Sequence, residues 1–162
     1  MSTDYILGKT DKTDNSEINN LMRNRFHMVL NPDCIRNILL YVESVSTYGE
    51  KLTFGYNLEQ YADNEYLKTY SLEELFYHLR QCCLSGYFHD YHLPKLEEHH
   101  FDISVLDLSP VAHEFVSNVR NDTIWNKVKS KISITGDLSI SIVLQLAATS
   151  AFEVAKKKLL GA

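Results

Sequence analysis

Apolar residues recur at helical spacing over much of the chain, and this pattern predicts a mainly α-helical protein. The segment Asp33–Ser44 is the clearest case. The break at Asn31-Pro32 precedes it, because the residue before a proline disfavours helical backbone. Its apolar residues are spaced i, i+3, i+4 and i+7 and so share one face: Ile35, Ile38, Leu39 and Val42. We therefore expect a core helix here.

A second strong helix is predicted between Ser71 and Gly86. Ser71 is a good N-cap, the acidic residues of the first turn suit the helix dipole, and Gly86 is a suitable C-terminal stop. The apolar residues cluster in one arc of the helical wheel: Leu72, Leu75, Phe76, Leu79, Cys82 and Cys83. Four residues outside this arc are expected to face outward and are the candidate partner- or DNA-facing residues of the helix: Glu74, Tyr77, His78 and Gln81.

Short β-prone segments predict a small sheet. These segments are Lys51–Tyr56, Tyr87–Tyr91 and the alternating Phe101, Ile103 and Val105. The last two are joined by the polar loop His92–His100 and form a long hairpin, which is the candidate wing. Tyr91 and Lys95 are its candidate partner- or DNA-facing residues.

Further helices are predicted toward the C-terminus. They run from Ser109-Pro110 through Val119, over Asn121–Lys131, and over Ser139–Leu160. The last helix is apolar over more of its circumference than one domain surface requires, so we expect it to pack on two sides. It either completes the intramolecular core or mediates self-association, for which the candidate residues are Ile142, Leu146 and Phe152.

The order helix, short strand, helix, hairpin, helix is typical of a winged helix. The predicted class is therefore mainly α with a small β-hairpin, in which a winged-helix-like core carries C-terminal helices. The expected division is an N-terminal arm and short helix over residues 1–30, the core over 31–120, and a helical extension packed on it over 121–162. The short helix spans Ile18–Leu30, and the polar arm before it contributes little to a core.

Several local strings resemble an uncharacterised phage and bacterial family, domain of unknown function 2513. They are Tyr77-His78-Leu79, Ser85-Gly86-Tyr87-Phe88, Leu108-Ser109 leading to His113-Glu114-Phe115, and Asp122-Thr123-Ile124-Trp125-Asn126-Lys127. The likeness spans Asn31 to Gly161. It departs from the family where Cys82-Cys83-Leu84-Ser85 occupies a region of small residues and where Ala112 replaces a frequent glycine. The resemblance implies the fold and a mobile-element setting, but it carries over no catalytic residue.

Composition and charge narrow the function classes. The chain has 162 residues with 44% hydrophobic residues, so it can form a core without metal or disulfides. Its net charge of -5 lacks the basicity that phosphate binding usually requires. We find no secretion signal or membrane span, and the three cysteines cannot all pair. A cytoplasmic location, with no membrane partner, is expected.

Metal binding and catalysis find little support in the sequence. Two cysteines and two histidines fall within eleven positions, namely Cys82, Cys83, His89 and His92, and His99 and His100 could approach across the hairpin. This spacing matches no strong zinc pattern, and both cysteines lie on the apolar arc. No catalytic motif is present. We therefore expect a nonenzymatic protein with no metal, no cofactor and no catalytic residues.

The remaining alternatives are a protein partner and DNA. Arg80 is the only cation on the second helix, and the wing sets Lys95 against four acidic residues: Asp90, Glu97, Glu98 and Asp102. This surface repels phosphate, so a protein partner leads and DNA is second. Trp125 with its neighbouring lysines could stack on single-stranded nucleic acid, but a core tryptophan with solvated lysines is the favoured interpretation.

Overall fold

The computed structural model describes residues 29–95, 102–135 and 139–161. The predicted N-terminal arm, most of the predicted helix Ile18–Leu30 and the second half of the wing loop lie outside these ranges. The elements are α1 (Pro32–Val45), β1 (Leu52–Phe54), α2 (Leu72–Leu84), β2 (Phe88–His92), β3 (Ile103–Leu108), α3 (Pro110–Val119), α4 (Asp122–Thr135) and α5 (Ile140–Leu160). A mainly helical chain with a small antiparallel sheet is therefore confirmed.

Side-chain caps fix where the helices begin. Each of Ser71, Ser109 and Ser139 accepts a hydrogen bond from the backbone N–H three residues later, at 3.2–3.3 Å. Asn31 caps α1 in the same way and Pro32 occupies its first turn. These polar residues satisfy backbone donors that a helix leaves without intrahelical partners, so the starts read from the sequence hold to within a residue.

The sheet has the order β1-β3-β2, and both pairings are antiparallel. Val105 lies at its centre, between Leu52 on one side and Tyr91 on the other. Strand β3 buries Ile103, Val105 and Leu108, whereas in β2 only Phe88 is buried. One strand thus anchors the sheet to the helices, and β2 forms an edge that faces solvent.

The core lies between α1, α2, α3 and the sheet, and it extends to buried residues of α4 and α5. The four residues that predicted the apolar face of α1 are all at most 1% exposed, so that face is confirmed: Ile35, Ile38, Leu39 and Val42. Burial of such a side chain stabilises the fold by roughly 1.5–3 kcal/mol. Tyr87 stacks on Phe115, and Phe115 meets the edge of Trp125, with both centroid distances 6.2 Å. These rings connect the end of α2 to α3 and α4.

Arg36 of α1 fastens the corner between α3 and α4. Its guanidinium donates to the carbonyl oxygens of Val119 and Arg120 at 2.9 and 3.0 Å and to the Asp122 carboxylate at 2.8 Å. The same group lies 5.5 Å from the centroid of the Trp125 ring. Trp125 is 2% exposed and donates to Asp33, so its assignment to the core is confirmed.

Helix α5 packs against both α3 and α4, as its broad apolar surface predicted. It buries only Val143, Ala147 and Ser150 completely. Its exposed apolar residues include Phe152 at 69% and Leu159 at 85%. In the described residues, no helix is long and apolar enough to span a membrane.

Several predicted boundaries differ from the structure, and β1 is the shorter Leu52–Phe54. The strand starts at Phe88 and not at Tyr87, because the N–H of Tyr87 bonds to the Cys82 carbonyl and closes the turn after α2. Helix α4 continues past Lys131 to Thr135. The polar segment Leu58–Lys68 begins with a 3-10 turn over Leu58–Gln60, which is followed by turns.

Candidate functional site

A polar cluster joins the start of α1 to α2. The N–H of Asn31 donates to Nε2 of His78 at 2.7 Å, and its side-chain amide donates to Glu74 Oε1 at 2.7 Å. Nδ1 of His78 lies 2.7 Å from the carbonyl oxygen of Glu74, one turn earlier in α2. His78 is 0% exposed, and Glu74 is half-buried. Side chains and backbone from two helices therefore meet in one closed network.

These contacts determine the tautomer of His78. A backbone N–H can only donate, so Nε2 of His78 accepts and the ring proton resides on Nδ1, from which it is donated to the Glu74 carbonyl. Burial lowers the pKa of His78, although the neighbouring Glu74 carbonyl and carboxylate partly oppose this shift. The imidazole is thus held neutral with both nitrogens engaged.

Cys34 completes a group of three potential metal ligands with Glu74 and His78, whose ligand atoms lie within 4.8 Å of one another. Burial, with a smaller contribution from Glu74, raises the pKa of the Cys34 thiol and disfavours the thiolate that metals bind. Both histidine nitrogens already have hydrogen-bond partners. The cluster is therefore suited to fastening α1 onto α2, and its polar atoms are not directed at a ligand.

The prediction that His78 faces outward is wrong. His78 lies three residues after Leu75 and four before Cys82, so it shares their helix face, and the start of α1 covers it. The i, i+3, i+4 relation to two apolar residues was the signal available in the sequence. Asn31, its partner, is 47 residues away, and no local pattern indicated that contact.

The other outward candidates of α2 are only half-exposed. The Tyr77 ring meets the edge of the His78 ring, with centroids 5.0 Å apart. Gln81 lines a cleft of about 390 Å³ between the end of α2 and the start of α5, together with Leu30 and Leu144. The C-terminal helices thus approach the face of α2 that was expected to be free.

The side chains of strand β2 are far more exposed to solvent than those of α2. Its residues His89, Asp90, Tyr91 and His92 are all exposed, with Tyr91 at 39%. Asp90 adopts a left-handed backbone conformation with φ 51° and lies 3.8 Å from Lys51. Lys95 and Asp102 are exposed beyond the strand, and Glu97 and Glu98 lie outside the described residues.

The cysteines and histidines noted in the sequence do not come together in the described part of the chain. Cys82 and Cys83 are buried in α2, as expected, whereas His89 and His92 point away from the core on β2. Burial raises the pKa of Cys83 to about 12, which is unlike a thiolate ligand. His99 and His100 are not among the described residues.

A surface group that the sequence did not indicate surrounds His113. Its Nδ1 lies 4.0 Å from Glu43 and its Nε2 lies 3.8 Å from Asp107, while Arg120 pairs with Glu43 at 2.5 Å. The His113 side chain is 48% exposed. These long, solvated contacts to His113 are typical of surface ion pairs rather than of a positioned general base.

The three self-association candidates on α5 have different environments. Ile142 and Leu146 are half-buried, and Leu146 packs against the core. Phe152 is exposed. Of the three residues, Phe152 therefore has the side chain that is most available to another molecule.

A family model and one other protein are similar in sequence to this chain. A family model described as "Hypothetical protein (DUF2513)" matches residues 29–137. A protein of Haemophilus influenzae (strain ATCC 51907 / DSM 11121 / KW20 / Rd), described as an uncharacterized protein, is 31% identical over 124 residues, which are 75% of this chain and 94% of that protein. No solved structure matches the chain at a significant level.

Proposed function

The chain belongs to the DUF2513 family, and from that premise we propose that it is a nonenzymatic, winged-helix-like domain that binds a protein partner through the edge strand β2. The setting proposed from the family resemblance is a prophage or related mobile element. The observation that carries the proposal is the exposure of every residue of β2 after Phe88 on a strand at the edge of the sheet.

The winged-helix-like assignment rests on the arrangement of α2 and the sheet. Helix α2 immediately precedes the β2–β3 hairpin, and β1 pairs with the other side of β3. In winged helices the helix before the hairpin enters the major groove, and the hairpin contacts the neighbouring backbone. A winged-helix-like fold is therefore also compatible with DNA binding. The chemistry of the exposed residues has to distinguish a DNA partner from a protein partner.

The polar side of α2 argues against reading DNA. Glu74 and His78 are engaged with Asn31, and Gln81 lies beside the start of α5. Arg80 is the single cation in α2. A helix that reads bases needs free donors and acceptors aimed into the groove, together with cations near phosphates. These residues offer few of either.

Strand β2 has the features that a protein partner needs. On the side away from β3, β2 pairs with no strand among the described residues, so its backbone groups there can pair with an added extended segment. Tyr91 supplies an exposed aromatic ring one residue before the end of the strand. The hairpin sequence is acidic, which favours a partner segment that carries basic residues: it sets Asp90, Glu97, Glu98 and Asp102 against Lys95.

Site-specific photocrosslinking in the native host tests this proposal. A photoreactive phenylalanine analogue replaces Tyr91, and the matched control replaces Ile134, which is 84% exposed on α4. We expect one defined protein to be attached at position 91 and not at position 134. Charge reversal by Asp90→Lys should reduce the yield. An absence of protein crosslinks at position 91 would contradict the proposal.

DNA binding through α2 is the second candidate, and the position of α2 before the hairpin favours it. It is tested by placing the same analogue at Tyr77 and by titrating labelled duplex DNA at low salt. Crosslinks from position 77 to nucleic acid, together with tight sequence-selective binding, would replace the protein-partner proposal with a DNA-binding one.

A further inference from the structure

An exposed aromatic ring on α5 lies next to a partly apolar cleft that could hold such a ring. Phe152 is 69% exposed and lies one helical turn after Ala148. Ala148 forms part of a cleft of about 220 Å³ between α3 and α5, which has room for a phenyl ring. The cleft is lined by Val111, Glu114, Phe115, Asn118, Leu144, Gln145 and Ala148. The ring and the cleft therefore occupy neighbouring positions on one side of the molecule.

The apolar part of this cleft is open to solvent. Phe115 is 1% exposed, so it is available only as the floor, whereas Val111 on the rim is 50% exposed. Phe152 does not line this cleft in its own chain, and most of its side chain is exposed to solvent. An aromatic side chain delivered by another molecule would cover Val111 and Ala148 together.

Charges at the ring and at the cleft are opposite. Glu114 stands on the rim of the cleft, and Lys156 lies one turn after Phe152 on the same helix face. Both are exposed, and neither has an ion-pair partner among the described residues. A molecule that inserts a ring like Phe152 into the cleft can place a cation like Lys156 against Glu114.

We propose that a second copy of this chain occupies the cleft, with Phe152 of each copy inserted between Val111 and Ala148 of the other and Lys156 paired with Glu114 across the interface. A two-fold pair requires one surface that carries both halves of a contact, so that each contact occurs twice. Phe152 and its cleft, with Lys156 and Glu114, provide such a surface. This pairing uses α3 and α5 and leaves β2 free.

Sedimentation velocity of the full chain from micromolar to millimolar concentration tests the pairing. We expect a reversible dimer. Phe152→Gln should weaken it by at least about tenfold, because a central aromatic residue usually dominates such an interface. Single reversals, Glu114→Lys or Lys156→Glu, should weaken it by about three- to fivefold, as expected for partly solvated ion pairs.

A swap of the two charges tests directly whether Glu114 and Lys156 pair across the interface. The double variant Glu114→Lys with Lys156→Glu restores opposite charges, and we expect it to recover the dimer that each single variant loses. Lys157→Glu is the matched control, because it makes the same charge change about 100° away around the helix. A monomer at all concentrations, a dimer indifferent to Phe152→Gln, or no recovery in the double variant would overturn the proposal.

Discussion

Helices α2 and α5 both carry many apolar residues, yet they use their surfaces in opposite ways. Helix α2 buries its apolar arc and also draws the polar side chain of His78 inside, where Asn31 covers it. Helix α5 is more apolar, but only three of its residues are fully buried, and Phe152 projects into solvent. Position in the fold, more than residue type, thus decides which side chains are available to partners.

The difference matters because α2 occupies the place of a recognition helix. Two of its polar residues, Glu74 and His78, are engaged with Asn31, whereas an exposed edge strand and an exposed aromatic ring lie elsewhere, on β2 and α5. The proposed contacts therefore avoid the element that fold analogy would suggest first. Function has to be argued from such local chemistry, since one fold serves many functions.

Truncation of an apolar residue should distinguish the two helices most strongly. Leu79 of α2 is 1% exposed, so Leu79→Ala should lower the free energy of unfolding by about 2–5 kcal/mol through lost burial and the cavity left behind. Phe152→Ala removes a larger side chain but should change stability by less than about 0.5 kcal/mol. Urea denaturation at micromolar concentration measures both. Equal losses of stability in the two variants would contradict the claim that α2 buries its apolar residues while α5 leaves Phe152 exposed.

Removal of the buried imidazole should have the next largest effect. His78→Ala leaves the Asn31 N–H and the Glu74 carbonyl without their side-chain partner and opens a small cavity. We expect a loss of roughly 2–3 kcal/mol in the free energy of unfolding. The control is His92→Ala, because His92 is exposed on β2, and it should stay near wild type. A wild-type stability for His78→Ala would place His78 outside the structural core.

Acid should weaken the fold through the same residue. An imidazole in the unfolded chain has a pKa near 6.5, whereas burial lowers the pKa of His78 in the folded chain. The unfolded state therefore binds the proton first, and stability falls as pH drops below about 6.5, by at most about 1.4 kcal/mol per pH unit for this one group. Denaturation at pH 7 and pH 5.5 should show a smaller decrease in His78→Gln than in wild type. An equal decrease in the two proteins would contradict the assignment.

Much of the helical framework could be predicted from local sequence. Ser71 and Ser109 marked helix starts, and the spacing in Asp33–Ser44 gave the buried face of α1. The surroundings of His78 could not be predicted in this way, because they depend on the contact between Asn31 and α2. Likewise, the wide apolar surface of α5 indicated packing on two sides but not which part stays exposed, since that depends on where α3 and α4 end.

The central claim is that His78 of α2 belongs to the interior, and long-range proton–nitrogen NMR of the histidine rings tests it most directly. The account predicts that His78 carries its proton on Nδ1, titrates with a pKa below that of a free imidazole, and is unperturbed when duplex DNA is added. A proton on Nε2, titration at the pKa of a free imidazole, or a shift on adding DNA would show that His78 is open to solvent and would contradict the account.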